Sequence, residues 1–199
     1  MPSSRPSPGR PRRAETDVNI HRAALRLLQG GGAKAVTVEA VAAESGLAKT
    51  TIYRRYADRD AVLRAALAAA IVPPDGPIGD TPQERIRWAL GQAWSQMSGV
   101  LGSGGLASIL SGDDPHFSEL FRGVLTPYTD ALVELIRSDI AAGTLRPSLD
   151  PDTVVSLLIG AFLGELVRRG AVADGFIDRC VDLMWVAMTR DVRASGRQS

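Results

Sequence analysis

The chain has little of what stabilises a secreted or membrane-spanning protein. It contains a single cysteine, Cys180, which excludes an internal disulfide. Its longest apolar run, from Ala65 to Val72, is much shorter than the ~18 residues that a membrane span requires. The opening residues are rich in Pro, Ser and Arg and lack the apolar segment of a secretion signal. The sequence therefore predicts a soluble, cytoplasmic protein.

The sequence also lacks the groups of side chains that catalysis requires. It has no phosphate-binding glycine loop, no nucleophile elbow and no Cys/His cluster, and its two histidines, His21 and His116, are far apart. The segment Asp113-Asp114-Pro115-His116 admits a metal site, but such loop residues more often cap a helix. We therefore predict a protein that is not an enzyme and has no metal or other cofactor.

Charge is nearly balanced over the 199 residues, at +1, but it is unevenly distributed. Residues 1–60 hold eleven Lys or Arg against six Asp or Glu, whereas the remainder holds twelve against sixteen. A basic first third followed by an acidic remainder is typical of a nucleic-acid-binding module joined to a separate domain.

Short helices around a turn are expected in the basic third. Apolar spacing predicts helices over residues 15–29, 38–45, 48–56 and from 59 onwards. Thr37 and Asp58 are candidate N-caps for the second and fourth helices, and Gly46 suits the turn before the third. This order is that of a helix-turn-helix, whose second helix enters the major groove of DNA. An αα-hairpin used only for packing is the alternative.

The third of these helices has two chemically different faces. Ile52 and Tyr56, four residues apart, can face the protein core. The opposite face combines cations, a hydroxyl and a phenol: Lys49, Thr50, Tyr53 and Arg54. One face is therefore suited to packing and the other to nucleic acid.

The segment from Gly46 to Leu63 resembles the DNA-binding signature of TetR-family transcriptional regulators. The turn glycine, the threonines and tyrosine of the third helix, an aromatic residue and a following cation stand in the family's order. The family pattern usually has Phe where this chain has Tyr56 and Lys where it has Arg59. The resemblance implies an all-α fold, in which an N-terminal three-helix helix-turn-helix DNA-binding domain precedes a helical ligand-binding and dimerisation domain.

The resemblance also implies which side chains touch DNA. It places four hydrogen-bond donors against phosphates: Thr37, Thr51, Tyr53 and Arg59. For base edges the candidates are Lys49, Thr50 and Tyr53. Arg54 completes this set, although its position is equally consistent with a solvated surface arginine.

Residues 1–14 are expected to form a disordered basic arm. Arg12 and Arg13, immediately before the first helix, are predicted to lie along phosphates or in a minor groove. A tail that only improves solubility is the alternative.

The proline-rich segment after residue 72 is a strong break. We therefore assign residues 15–72 to the DNA-binding domain, 73–82 to a linker and 83–199 to the helical domain. Five further helices are expected over residues 83–100, 105–110, 117–142, 152–169 and 175–193, with a kink or break near Leu125 caused by Pro127.

The last two helices are apolar almost all round, so they must be buried on more than one side. The resemblance implies an intersubunit four-helix bundle built from them, and an intrachain core is the alternative. The candidate interface residues are Leu157, Gly160, Ala161, Gly164, Val181, Met184, Trp185 and Met188.

Large adaptable side chains are concentrated earlier in the helical domain, where the resemblance implies an effector pocket. The candidate lining residues are Trp88, Trp94, Met97, Leu101, Phe117, Phe121, Tyr128, Phe162 and Glu165. Plain core packing is the alternative for each aromatic residue. Glu165 either pairs with Arg168 or Arg169 at the surface or anchors a basic group of the ligand.

Together these features predict a homodimeric regulator that binds a palindromic operator in double-stranded DNA. A small apolar or aromatic effector would release it, and repression follows if the operator overlaps a promoter. The alternative is a DNA-binding regulator whose C-terminal domain only dimerises or meets a protein partner.

Overall fold

The computed structural model describes residues 9–71, 76 and 78–189, and all the regular elements within these ranges are helices. They are α1 (Gly9–Gly31), α2 (Val38–Ser45), α3 (Lys49–Tyr53), α4 (Arg59–Ala70), α5 (Pro82–Ser111), α6 (Pro115–Ala141), α7 (Pro151–Arg169) and α8 (Phe176–Thr189), with a 3₁₀ turn at Ala33–Ala35. The all-α prediction is confirmed. Among the described residues, none of the helices is both long and apolar enough to cross a bilayer.

Helix α1 begins earlier than expected. It starts at Gly9 rather than near residue 15, so residues 9–14 are helical instead of forming an arm. Pro11 lies in the first turn, where its missing N–H costs no hydrogen bond, and the neighbouring arginines favour a helix. The first eight residues, which were also expected in the arm, lie outside the described residues.

The N-terminal helices pack through the predicted apolar stripe. On α1, Ile20, Ala23 and Leu28 are buried, and on α4 Leu63 and Leu67 are buried. Helices α1 and α4 lie against each other along much of their length. Burial of each of these isoleucine and leucine side chains stabilises a fold by about 1.5–3 kcal/mol. The packing of α1 against α4 therefore supports the shorter helices between them.

The predicted N-caps are present on α2 and α4. The Thr37 hydroxyl accepts a hydrogen bond from the Ala40 amide at 3.0 Å, and the Asp58 carboxylate accepts one from the Ala61 amide at 2.8 Å. Gly46 ends α2 with φ 70°, a left-handed conformation that favours glycine. Helix α3 ends at Tyr53, three residues before its expected end, and Arg54 and Arg55 continue as a turn.

The compact units of the structure do not follow the order of the chain, and the predicted domain boundaries stay a prediction. One compact unit comprises Met1–Val72 and Gln96–Leu125, and the other Pro73–Ser95 and Thr126–Ser199, each as far as it is described. Helices α5 and α6 therefore contribute residues to both units. A proline-rich segment marks a local break, but it cannot show which distant helices complete a core.

Within the first unit, α5 approaches the end of α1 very closely. Two helices were expected here, over residues 83–100 and 105–110, and α5 is indeed interrupted between those ranges by a kink at the non-helical Gly102, with φ 56°. A Cβ atom on Gly104 would lie 2.6 Å from the Gly32 amide nitrogen and 2.7 Å from the Leu28 carbonyl oxygen. Only glycine at residue 104 permits this approach of two backbones.

The second unit has a core of its own, formed by apolar residues of α5, α6, α7 and α8 together with Leu145 between α6 and α7. Its members are Ile86, Leu90, Leu132, Val133, Ile136, Leu145, Val154, Val155, Leu158, Val181 and Met188. Of the kink or break expected near Leu125, a break is absent from the described α6, which remains one element across Pro127, and a kink stays a prediction.

Candidate nucleic-acid interface

The outer face of α3 is exposed as the sequence predicted. Lys49, Thr50, Tyr53 and Arg54 are exposed, whereas Ile52 on the opposite face has no accessible surface. Tyr53, at 51% exposure, is a large side chain left in solvent. Phenol, hydroxyl, ammonium and guanidinium groups are therefore presented together, and all of them can donate to DNA.

Lys49 is paired within the protein. Its ammonium group lies 2.9 Å from a Glu39 carboxylate oxygen in α2, and both side chains are more than half exposed. The hydrogen bond from Lys49 lowers the pKa of Glu39. Exposed pairs of this kind contribute little to stability, so Lys49 can exchange Glu39 for an anionic partner at small cost.

The predicted phosphate-binding threonines differ in their surroundings. Thr37 is exposed, and its oxygen already accepts from Ala40, but its hydroxyl proton can still be donated. Thr51 is half-buried beside Ile52. Contact of either residue with DNA stays a prediction.

Arg59 is held by the protein itself. Its guanidinium group donates to the carbonyl oxygens of Val36 at 2.8 Å and Ala33 at 2.6 Å, and it lies 2.6 Å from the Asp114 carboxylate. The Arg59 side chain is 26% exposed and that of Asp114 is 8% exposed. The contact of Arg59 with a phosphate stays a prediction, while its bonds with Val36, Ala33 and Asp114 are a second role that the sequence did not reveal.

Asp114 serves two partners at once. Besides accepting from Arg59, its carboxylate accepts a hydrogen bond from the Phe117 amide at 3.0 Å, so it caps α6. Burial would raise the pKa of Asp114, but the bonds from Phe117 and Arg59 outweigh it and lower the pKa. The helix-cap interpretation of the segment from Asp113 to His116 is confirmed. Within the described residues, no group of three or more His, Cys, Asp or Glu side chains is arranged to hold a metal ion.

A cluster of polar side chains joins α1 to the residues after α3, the helix expected to enter the DNA groove and therefore called the recognition helix. One nitrogen of Arg55 lies 2.9 Å and 3.1 Å from the two carboxylate oxygens of Asp17. The Tyr56 hydroxyl donates to Asp17 at 3.2 Å and lies 2.8 Å from Nε2 of His21. The His21 ring is half-buried against Tyr56. Asp17 and His21 are four residues apart, a helical spacing that could have indicated a shared partner.

This group predicts a pH dependence of stability. Burial lowers the pKa of His21 below 6.5, although the Asp17 charge acts in the opposite direction. The unfolded chain therefore takes up a proton at a higher pH than the folded protein does. We expect the free energy of unfolding to fall as the pH drops through 6.5 and to level off below the folded-state pKa.

Urea unfolding at several pH values measures this effect. His21→Gln should lose the part of the slope that His21 causes, whereas His116→Gln, at an exposed histidine, should retain it. Charged or titratable groups facing His21 are Asp17, Arg55 and Tyr56, and burial raises the pKa of Tyr56 to about 12, outside this range. An unchanged slope in His21→Gln would contradict the assignment.

The N-terminal arginines were predicted to touch DNA. Arg13 is exposed within the first part of α1. The side chain of Arg12 lies outside the described residues, and DNA contact by both arginines stays a prediction.

The predicted effector residues divide between the two units. In the first unit Leu101 and Phe117 are buried, Phe121 packs near Phe117 and Met97 is half-buried. In the second unit the half-buried Trp94 stacks on Phe162 with ring centroids 4.3 Å apart. Trp88 and Tyr128 are also half-buried there.

Glu165 forms the expected ion pairs although it is buried, and its role as an anchor for a ligand stays a prediction. Its carboxylate pairs with Arg168 at 3.3 Å and Arg169 at 3.1 Å, yet its side chain is only 6% exposed. Both arginine side chains are exposed, so water can solvate them if they move away from Glu165.

The last two helices present an apolar face to solvent. On α7, Leu157 and Val167 are exposed, and a Cβ atom on Gly160 or Gly164 would meet nothing within 4 Å. On α8, Leu183 and Val186 are exposed.

Two of the predicted interface residues need correction. Val181 and Met188 are buried in the core of the second unit, where a partner could not reach them. Leu183 and Val186 are the exposed apolar residues of α8 instead, since a helix apolar all round does not reveal its orientation by periodicity. Ala161, Met184 and Trp185 are half-buried.

Comparisons with known proteins agree with this architecture. The family described as "Bacterial regulatory proteins, tetR family" matches residues 20–66, and "Tetracyclin repressor-like, C-terminal domain" matches residues 80–184. A search of curated proteins finds no match.

Several solved structures share the fold. A Rhodococcus sp. protein assigned to the TetR family has a TM-score of 0.67 at 19% identity, over 88% of this chain and 99% of that one. HlyIIR, a hemolysin II transcriptional regulator, has a TM-score of 0.67 at 14% identity, over 90% and 99%. The Bacillus subtilis regulator FadR in complex with stearoyl-CoA has a TM-score of 0.61 at 16% identity, over 85% and 97%.

Proposed function

Since the chain belongs to the TetR family of bacterial regulatory proteins, we propose that it is a homodimeric repressor released from a palindromic operator by a small apolar or aromatic effector. The observation that carries the DNA-binding part is the outer face of α3. Lys49, Thr50, Tyr53 and Arg54 are exposed together there, while Ile52 secures the opposite face in the core.

The chemistry of each side chain determines whether it would contact a base or a phosphate. Lys49 can donate to guanine, the Thr50 methyl group can meet a thymine methyl, and Tyr53 can donate to a base edge or a phosphate. Thr37, Thr51 and Arg59 would position the helix through phosphates, with Arg12 and Arg13 adding contacts nearby. Arg54 extends the positive face.

A homodimer is supported by the apolar face of α7 and α8. Leu157, Val167, Leu183 and Val186 are exposed, and Gly160 and Gly164 leave space for a second helix to approach closely. Exposed apolar side chains grouped on adjacent helices are typical of an interaction surface. A dimer also provides two recognition helices for half-sites about 34–36 Å apart.

The effector would be recognised by the aromatic and aliphatic side chains of α5, α6 and α7. Trp94 and Phe162 offer aromatic faces in the second unit, and Glu165 is a buried carboxylate whose arginine partners are replaceable. Such a lining suits an apolar body, and the carboxylate suits a basic or hydrogen-bonding group. The likeness to FadR, whose structure contains stearoyl-CoA, favours testing a long apolar chain as well.

Release from DNA would be a population shift. An effector that binds one spacing of the two recognition helices more tightly than the other moves the equilibrium toward that spacing. Its effect on DNA affinity is limited by the difference between its affinities for the two states.

The second candidate is a dimeric DNA-binding regulator without a small effector. It is favoured by packing, because Leu101 and Phe117 are fully surrounded and Trp94 stacks directly on Phe162. Release of a bound operator by stearoyl-CoA or by a hydrophobic aromatic compound distinguishes the two functions.

Selection of duplexes from a random DNA pool tests the DNA-binding part. We expect the purified protein to enrich a palindrome, with affinity that falls steeply as salt rises, because phosphate contacts release counterions. Thr50→Ala should weaken binding to that palindrome by about ten-fold, the range of one lost base contact.

Thr144→Ala is the matched control, since Thr144 is an exposed threonine of the second unit. Its affinity should equal that of the unmodified protein. If no sequence is enriched, specific DNA recognition by this chain is contradicted.

A further inference from the structure

The recognition helix has few means of fixing its own orientation. Helix α3 contains five residues, about one and a half turns, and Ala48 at its N-cap position has no side-chain acceptor. Within α3, which the structure describes completely, Ile52 is the one buried side chain. A short helix held at one buried point can still turn about that point, so a second fixed point is needed.

Arg55 and Tyr56, two and three residues after the end of α3, supply that second point. The Tyr56 amide still bonds to the Ile52 carbonyl at 2.9 Å, so the backbone of this turn continues the helical path. Their side chains run to α1, where Asp17 receives Arg55 through both carboxylate oxygens and Tyr56 through one of them. His21, one turn further along α1, contacts the same Tyr56 hydroxyl at 2.8 Å.

The contacts are suited to holding a fixed geometry. The Arg55 side chain is 14% exposed and that of Asp17 33%, so water competes only partly for their hydrogen bonds. Asp17 and His21 stand on a 23-residue helix that also packs along α4. The recognition helix is therefore tied to the most extensive element of its unit.

The side chains presented to DNA are adjacent to this tie. Arg54 precedes Arg55 and is exposed, whereas Arg55 is turned inward. Tyr53 lies three residues before Tyr56, which places the two within one helical turn. A change in the position of Arg55 or Tyr56 would therefore be transmitted directly to Tyr53 and Arg54.

We propose that Asp17, His21, Arg55 and Tyr56 are positioning residues, which fix the orientation of α3 on α1 and thereby determine how far specific DNA binding exceeds non-specific binding. Non-specific binding depends mainly on phosphate contacts and tolerates a small rotation of α3, whereas contacts to base edges do not. This inference rests on the proposed DNA-binding function.

Tyr56→Phe is the sharpest test, because it removes one hydroxyl group and leaves the ring. We expect its affinity for the selected palindrome to fall roughly five-fold, the effect of about one net hydrogen bond. Its affinity for a scrambled duplex and its salt dependence should stay the same. A purely stabilising role would lower the melting temperature and leave the ratio of specific to non-specific affinity of the folded protein unchanged.

Asp17→Asn and the double variant Asp17→Asn/Tyr56→Phe complete the experiment. Both Arg55 and Tyr56 donate to Asp17, so Asp17→Asn and Tyr56→Phe disturb a shared set of hydrogen bonds. In the double variant, the decrease in the ratio of specific to non-specific affinity should therefore be less than the two single decreases combined. Glu15→Gln is the matched control: it removes one negative charge from an exposed position of α1 and should retain the ratio. Circular dichroism confirms that each variant is folded, and Arg55→Lys, which keeps the charge, replaces Tyr56→Phe if the latter does not fold.

The outcomes separate this inference from the proposed function. A selected palindrome with a reduced ratio in Tyr56→Phe supports the positioning role. A selected palindrome with an unchanged ratio overturns it while specific DNA binding stands. If the unmodified protein enriches no sequence, both are overturned.

Discussion

Replacing Leu157 with aspartate is expected to give a folded monomer whose affinity for the selected palindrome is lower by about two orders of magnitude. Leu157 is 55% exposed on α7, and the apolar surface around it continues over Val167 of the same helix. A carboxylate in a dimer interface would lose its hydration without gaining a partner. Loss of the dimer removes the second half-site contact, and two linked contacts exceed one by roughly 100-fold or more.

Sedimentation analysis and binding titration measure the two parts of this prediction. Leu183→Asp, at a 76% exposed leucine of α8, should act in the same way. Leu110→Asp is the matched control, because Leu110 is an exposed leucine of the first unit, 59% accessible. A dimeric Leu157→Asp variant would show that this face is not the interface.

Replacing Asp114 with alanine is expected to lower the free energy of unfolding by about 3 kcal/mol. The change removes the cap of α6, worth about 1 kcal/mol, and the short ion pair of the partly buried Arg59, worth about 2 kcal/mol more, so that only the longer 3.5 Å contact with the Asp60 carboxylate remains. Asp114→Asn keeps an acceptor for the cap and should lose less.

The pH dependence identifies the charge as the cause. Because the pKa of Asp114 is lowered in the folded protein, its contribution is complete at neutral pH and disappears as the pH falls through that lowered pKa. The difference between the unmodified protein and Asp114→Ala should therefore shrink in acid. Urea unfolding at neutral and acid pH measures it.

Asp113→Ala provides the comparison. Asp113 is the preceding residue and pairs with Lys34 at 2.9 Å, but both side chains are well exposed. Surface pairs contribute little, so stability should hardly change. Equal losses for the two aspartates would contradict a special role for Asp114.

Local chemistry made much of the first unit predictable. Thr37, Gly46 and Asp58 occupy the positions expected from capping and left-handed backbone preferences, and these depend on neighbours within four residues. The exposed face of α3 followed from helical spacing in the same way. These features are set by short stretches of sequence.

The contacts between distant residues were not predictable. Arg59 meets Asp114 across 55 residues of chain, and Tyr56 meets His21 across 35. The sequence identified Arg59 as a cation and Tyr56 as an aromatic, but neither identity specifies a partner. The family resemblance assigns Arg59 to a phosphate, which stays a prediction, and spacing alone could not show that two carbonyl oxygens also accept from it.

Orientation of the last helices was also beyond the sequence. Both α7 and α8 are apolar on several sides, so the side facing the core and the side facing solvent carry similar residues. Val181 is buried, for example, whereas Leu183, two residues later, is 76% exposed. Only the packing against α5 and α6 distinguishes them.

The shared helices α5 and α6 affect how such proteins can exchange parts during evolution. The chain enters the second unit after residue 72, returns at residue 96 inside α5 and leaves again after residue 125 inside α6. A recombination event at the proline-rich segment would transfer residues 1–72 without Ser108 and Asp114, whose side chains bond to the Ala33 amide and to Arg59. A new operator specificity is therefore more easily acquired by substitutions on the outer face of α3 than by replacement of the whole N-terminal segment.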